Sequence, residues 1–402
     1  MTETSQRSGL AAYFGNTVFT LLPANMFHYS MILLSGTFVG SPSFTGVVFF
    51  CIFLPIGVLT PLAGKALDTR NRRTLVFLGQ AASLVALAGL LLLVSVPVAD
   101  DLRAPIMIAL ALVMGASLAF VVPARLTFLA DIADEKTLPG ATALTAMLTV
   151  LGFGLAPVTV DFLKSQVGWP GLGAIIVVLH VLGMLMLLGA RSRRVQHAGA
   201  KLSGTFRHYL STKPVIFQAL LAAALFFIAM GPLQVLLPRY FVESLGASEL
   251  LRGAIISWLG GGLFVGAVAA QIWVSKTLHF GRGVILVGIG LGIATGLIAV
   301  VPNITLGGIL LAVCGMGLGF GSTSVSVLLQ QLSDDDHRGQ TMAAFSMVFQ
   351  LIPAVSGLLA GIAASVSSVP AALALVGVAI GTGLLILWMR ARPFATHGAL
   401  GG

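Results

Sequence analysis

The sequence predicts an all-α polytopic membrane protein with twelve transmembrane helices, and three observations carry that prediction. Hydrophobic residues make up 57% of the chain. Mean hydropathy is +1.02, far outside the range of soluble domains. Apolar runs of about 20 residues, the length that crosses a bilayer core, recur from one end of the chain to the other. The 9% of residues that carry charge fall mostly between those runs. Twelve spans with short loops use up all 402 residues, so no soluble domain fits beside them.

The spans follow in order. The first nine residues are polar, and the apolar run after them is too long for a cleaved signal region, so it is read as the first span. Approximate spans are 10–35, 43–64, 74–98, 105–128, 139–162 and 170–190, then 214–240, 250–274, 284–302, 305–330, 340–364 and 369–389. Between the two sets lies the longest polar stretch, with Arg191, Arg193, Arg194, Lys201, Arg207 and Lys213. The expected organisation is a six-helix bundle over 1–190, a basic cytoplasmic linker over 191–213, and a second six-helix bundle with a short tail over 214–402. Cys51 and Cys314 both lie in apolar runs and read as small packing residues rather than a disulfide or a metal site.

A net charge of +9 would suggest nucleic acid in a soluble protein, but its distribution explains it differently. With the amino terminus inside, only Arg103, Lys164, Arg239 and Arg252 of the 22 Lys and Arg residues fall outside. The other 18 face the cytoplasm, the bias expected of inner loops, and both termini are therefore expected there. The chain also repeats itself. Gly115 to Phe120 aligns without gaps on Gly315 to Phe320, and the register runs on through Leu129 and Leu329 to Asp134 and Asp334. Pro23-Ala24-Asn25 in span 1 answers Pro232-Leu233-Gln234 in span 7. Two related six-helix halves follow.

The loop after span 2 reads Gly64-Lys65-Ala66-Leu67-Asp68-Thr69-Arg70-Asn71-Arg72-Arg73. It resembles the G-x-L-x-D-[RK]-x-G-R-[RK] motif between helices 2 and 3 of the major facilitator superfamily, with Gly64, Asp68, Arg72 and Arg73 on matching positions. Thr69 replaces the usual base. Asn71 replaces the glycine, a mild change because Asn tolerates a left-handed backbone. His279-Phe280-Gly281-Arg282 is similar to the tail of the same motif. In span 5, Gly152 and Pro157 match the exporter-associated G-x-x-x-G-P-x-x-G-G pattern, Ala156 stands as a small substitute, and Val160 and Asp161 replace the final glycines.

The resemblance implies two pseudosymmetric bundles that rock about a central site, with helices 1, 4, 7 and 10 lining a cavity. It places Asp68 beside the start of helix 11, near Thr341, as a gate contact that complements the helix dipole. It leaves Arg72 and Arg73 to pair with acids or with anionic lipid. Asn25 and His28 lie on one stripe of span 1 with Thr17 and Leu21. They either face the cavity, His28 then being able to carry a coupling proton, or bond to neighbouring helices. Arg125 and Arg239 sit near span ends and either snorkel to the interface or turn inward and favour an anionic substrate. Gln234 and Gln350 offer neutral hydrogen bonds to a ligand. The thirteen acids sit in tails, loops and helix ends, Asp161 being placed at the end of span 5.

No phosphate-binding loop, metal-ligand spacing or nucleophile motif occurs, so no enzyme, no metal and no cofactor are expected, with proton coupling the one candidate. The expected function is a secondary transporter in a bacterial cytoplasmic membrane that exports a small amphipathic compound, a drug or secreted metabolite, by proton antiport. Alternatives are a lysophospholipid transporter or flippase, a facilitator of an anionic substrate and, in another class, a non-transporting receptor or assembly partner. The expected partners are a small-molecule or lipid substrate and membrane lipids, not nucleic acid, and the chain is read as a monomer.

Overall fold

A computed structural model describes residues 3–134, 136–190, 206–274 and 280–390. Its helices are α1 (Glu3–Phe38), α2 (Pro42–Thr69), α3 (Arg72–Ser95), α4 (Asp100–Ile132), α5 (Leu138–Gly189), α6 (Phe206–Thr212), α7 (Pro214–Phe227), α8 (Met230–Glu243), α9 (Glu249–Val274), α10 (Phe280–Ile298), α11 (Ile304–Leu332), α12 (Asp335–Val366) and α13 (Val369–Arg390). Among the described residues, eleven helical segments are long and apolar enough to cross a membrane.

One of those segments holds two spans. Its helix, α5, has 52 residues, about 78 Å at 1.5 Å per residue, against a hydrocarbon core of about 30 Å. Gly168, at φ 68° and ψ −177°, interrupts it with a backbone conformation that side-chain-bearing residues rarely adopt. Gly152 faces Leu21, Leu22 and Asn25 of α1, and Gly183 faces Phe19 and Thr20. Residues 31 apart along α5 therefore meet the same stretch of α1, which requires the chain to fold back between them at Gly168. That makes twelve spans.

The chain separates into two compact units, Met1–Gly40 with Val47–Gly199, and Ser41–Gly46 with Ala200–Gly402. In the amino-terminal unit, Tyr13, Leu75, Val76, Phe128, Leu129 and Leu187 are buried together where α1, α3, α4 and the second half of α5 meet. Polar residues cross the same bundle. Asn16 Nδ2 donates to Gln80 Oε1 (3.1 Å) while Gln80 Nε2 donates to Asn16 Oδ1 (3.0 Å). Asn16 Nδ2 also reaches the Gly183 carbonyl at 2.7 Å. The ring of His180 lies 3.0 Å from the Gln80 carbonyl oxygen, and Ser83 is hydrogen-bonded to Ser117.

In the carboxy-terminal unit the seventh span is broken between α7 and α8. Pro232 has no N–H to give to the carbonyl four residues back. The turn before it tightens instead, with the N–H of Ala229 bonded to the Phe226 carbonyl at 3.2 Å. The next residue back, Gly231, lies so close to the Pro353 carbonyl of α12 that a side chain there would collide. At the other end of this unit, α6 is held by Tyr209. Its hydroxyl accepts from the Asp334 N–H (3.0 Å), and its ring stacks on His337 at 4.0 Å. Lys213 pairs with Asp334, which holds that carboxyl below its usual range. Of the expected linker, residues 191–205 lie outside the described residues, as do 275–279 with His279 and the tail from 391.

The repeat is visible inside each unit. A Cβ on Gly115 would strike the Ile52 carbonyl of α2, and one on the aligned Gly315 would strike the Leu259 carbonyl of α9. The aligned leucines also act alike, because Leu129 accepts the capping N–H of Ala133 at 2.9 Å and Leu329 that of Ser333 at 3.1 Å. One expectation fails at Asn71. Its φ is −65°, not left-handed, and its side chain caps α3 by accepting from the Thr74 N–H at 3.4 Å. Among the described residues, only glycines have positive φ. Asn fits here because it is a good helix N-cap.

Candidate functional site

The basic motif is built into the amino-terminal unit by its arginines. Arg72, in the first turn of α3, bonds through one guanidinium nitrogen to Asp131 Oδ1 (2.5 Å) and to the Thr127 carbonyl (3.4 Å) near the end of α4. Arg73 donates to the Leu188 carbonyl at the end of α5 (2.7 Å). Three helix ends are thereby tied together, and a buried carboxylate is neutralised. A cation on a terminal carbonyl also complements the helix dipole. Gly64 lies in α2 with open space where a side chain would go. Asp68 is on the last turn of α2, and its side chain lies outside the described residues.

Span 5 brings more of the predicted residues together. A Cβ on Gly152 would sit 3.5 Å from Asn25 Nδ2, so the two face each other across α1 and α5. Asn25 itself donates to the Leu21 carbonyl of its own helix at 2.9 Å. Pro157 is buried one and a half turns further on. Asp161 departs from expectation. The sequence places it at a helix end, but α5 runs on for seven residues to Gly168, about 10 Å. The expected span ends at 162, where hydropathy falls, but helix hydrogen bonding does not stop there. Asp161 is fully buried and accepts a hydrogen bond from Tyr29 of α1 at 3.2 Å.

His28, one turn beyond Asn25, stands beside Phe27 and Phe53, with ring centroids 6.3 and 5.8 Å away. Its Nε2 is buried without a hydrogen-bond partner among the described residues. Arg125 does not snorkel. It is 5% exposed and turns into the bundle, donating to the Thr20 hydroxyl at 2.7 Å. Its Nε has no partner among the described residues.

The candidates of the carboxy-terminal unit close on their own helices. Gln234 Nε2 donates to the Met230 carbonyl (3.4 Å) and Gln350 Nε2 to the Ser346 carbonyl (3.5 Å). Arg239 pairs with Glu243 one turn along, at 2.7 Å. Among the described residues no group of His, Cys, Asp and Glu could hold a metal ion.

Two apolar, pseudo-repeated helical units with this loop motif can be compared with known families. The model of the Major Facilitator Superfamily matches residues 8–355, and again 252–401. The chain belongs to that superfamily. It is a membrane transporter by family, not an enzyme. The crystal structure of the nucleoside transporter NupG is similar in fold, with 12% identity, a TM-score of 0.75, and coverage of 95% of this chain and 99% of that one. A D-xylose-proton symporter is similar at 15% identity and TM-score 0.72, over 93% and 97% of the two chains. A bacterial homologue of the human lysosomal transporter Spinster, inward-facing and unoccupied, is similar at 15% identity and TM-score 0.68, over 98% and 97%. No curated protein sequence matches significantly. At such identities the superfamily likeness concerns the fold.

Proposed function

We propose that this transporter exports a small amphipathic compound in exchange for protons, from a bacterial cytoplasmic membrane. The observation that carries the reading is Asp161. A carboxyl group inside a membrane bundle is costly to keep and marks an ion or proton pathway far more often than it marks packing. Asp161 is wholly buried within a span, and Tyr29 donates a hydroxyl hydrogen bond that favours its charged form. Antiport needs a group that holds a proton in one part of the cycle and releases it in another. His28, with its buried and unpartnered Nε2, is the second candidate for that role. Export is supported by the span-5 pattern, whose Gly152 lets α5 approach α1 at Asn25 and whose Pro157 removes one backbone hydrogen bond and permits a bend. The two units would move as the halves of an alternating-access cycle, with Asp68 as a gate contact.

The test is an untargeted comparison of medium and membrane lipids from cells that make the wild type, Asp161→Asn or His28→Gln. A compound enriched in the wild-type medium is expected, lost with Asp161→Asn and with a protonophore. Loss with His28→Gln alone would move the coupling proton to His28. Depletion from the medium would reverse the direction, and a change confined to lysolipids would replace export by lipid flipping.

A further inference from the structure

Arg125 carries a permanent positive charge into the interior of the amino-terminal unit, and no described residue neutralises it. It leaves α4 seven residues before the helix ends, about 10 Å along the axis, yet its guanidinium reaches back to Thr20. Thr20 is within a turn of the middle of the first span, Ser8–Phe38. The described acids of this unit are engaged elsewhere. Asp131 holds Arg72, Asp100 holds Arg103, Asp161 binds Tyr29, Asp134 binds Thr137, and exposed Asp101 sits in the first turn of α4, far from Arg125 near that helix's end.

Thr20 is bonded to the guanidinium, Tyr13 and His180 lie within electrostatic range of it, and Thr17 and Thr145 adjoin Tyr13. Thr20 gives its own hydrogen to the Asn16 carbonyl at 2.7 Å and so accepts from Arg125. Thr145 gives its hydrogen to the Ala141 carbonyl at 2.9 Å, and Thr17 gives its hydrogen to the Tyr13 carbonyl at 2.8 Å. The Tyr13 hydroxyl meets Thr145 at 3.5 Å, also engages Thr17, and lies within electrostatic range of Arg125. Arg125 Nε is thus left without a partner on an uncompensated cation, where an unpaired buried charge is costly.

We infer that the buried cluster of Tyr13, Thr20, Arg125 and Thr145, from α1, α4 and α5, binds the oxyanion of the transported compound, a carboxylate or a phosphate monoester. The inference rests on the transporter reading and narrows its substrate to amphipathic acids. Arg125 supplies the charge, Tyr13 a hydroxyl that can turn from Thr145 to the anion, and Thr20 fixes the guanidinium. A planar guanidinium meets a carboxylate or phosphate through two parallel bonds, so Lys is an imperfect substitute.

The experiment uses the full chain in lipid nanodiscs without any ion gradient. Binding of 2-naphthoate, 2-naphthyl phosphate and uncharged 2-naphthamide is followed by the shift each causes in thermal unfolding. Both anions are expected to stabilise the wild type and the amide not. Arg125→Gln should weaken anion binding about tenfold or more, the effect of losing a charged hydrogen-bond donor. Arg125→Lys should recover part of it, and Tyr13→Phe should weaken binding less. Whichever anion shifts unfolding more separates a carboxylate from a phosphate preference. Equal shifts with all three probes, or none, overturn the inference, as does an Arg125→Gln protein that keeps the anion preference. Export of a neutral or cationic compound would overturn the anion site and leave the transporter reading intact. Anion binding without proton-dependent export would do the reverse.

Discussion

Asn16 and Gln80 exchange two side-chain hydrogen bonds in the interior of the amino-terminal unit. With no water available to either amide, removing one partner strands the other. Asn16→Leu or Gln80→Leu alone should therefore cost about 1–2 kcal/mol. The double substitution should cost less than the two singles added together, by the coupling that such a cycle isolates. Denaturant unfolding of the purified protein measures this, and strict additivity would mean that each amide serves other neighbours. Neither residue stands out in the sequence, since 64 positions separate them and each is one polar side chain in an apolar run. The same limit applies to Arg125. Its position near a span end is legible, but whether it snorkels or turns inward depends on Thr20, 105 residues away. Arg72, Arg73 and Gly152 were legible because their motifs fix local spacing, whereas their partners Asp131, Leu188 and Asn25 come from other helices.

The contact between α9 and α11 shows why an eighth of this chain is glycine. Gly262 and Gly266 of α9 and Gly315 and Gly319 of α11 each lie against a backbone carbonyl of the opposite helix. A carbonyl inside a helix cannot rotate away, so even a methyl group must push the helices apart. Gly315→Ala is expected to cost about 1–3 kcal/mol, the usual range for overpacking. Gly290→Ala on α10, where an added Cβ meets nothing within 4 Å, is expected to be neutral or to stabilise by up to about 1 kcal/mol through helix propensity. Parallel thermal unfolding of the two variants tests this, and equal effects would show that the packing relaxes. At this scale the sequence was informative. The twelve apolar runs, the ungapped match of Gly115 on Gly315 and the matched leucines all have structural counterparts. The helix ends were read less well, because α2 and α5 continue through polar residues that hydropathy treats as loop. The break between α7 and α8 is the converse case, hidden in an unbroken apolar run and explained only by Pro232 and the close approach of α12.

For the molecule as a whole, orientation follows from charge. Lys and Arg are retained on the cytoplasmic side during insertion, whereas acids contribute little, so the count of bases in short loops sets the topology. The turn between α3 and α4 is followed by Arg103 as its one base, in the first turn of α4 with Asp100 and Asp101, while the turn between α2 and α3 holds Arg70 and is followed by Arg72 and Arg73 in the first turn of α3. These turns stand at opposite ends of α3, whose 24 residues span about 36 Å, so they lie on opposite faces of the membrane. We therefore expect Asp101 outside and Arg70 inside. Both native cysteines are buried and should remain silent toward a membrane-impermeant maleimide. Asp101→Cys should be labelled in intact cells, and Arg70→Cys only after the membrane is opened. The reverse pattern would invert the whole chain and place both termini outside, and with them the direction assigned to proton-coupled export. Labelling of both positions in intact cells would instead show that α3 does not span the bilayer. The last outcome would contradict the twelve-span fold itself, which makes this pair of labels a test of the fold as well as of its orientation.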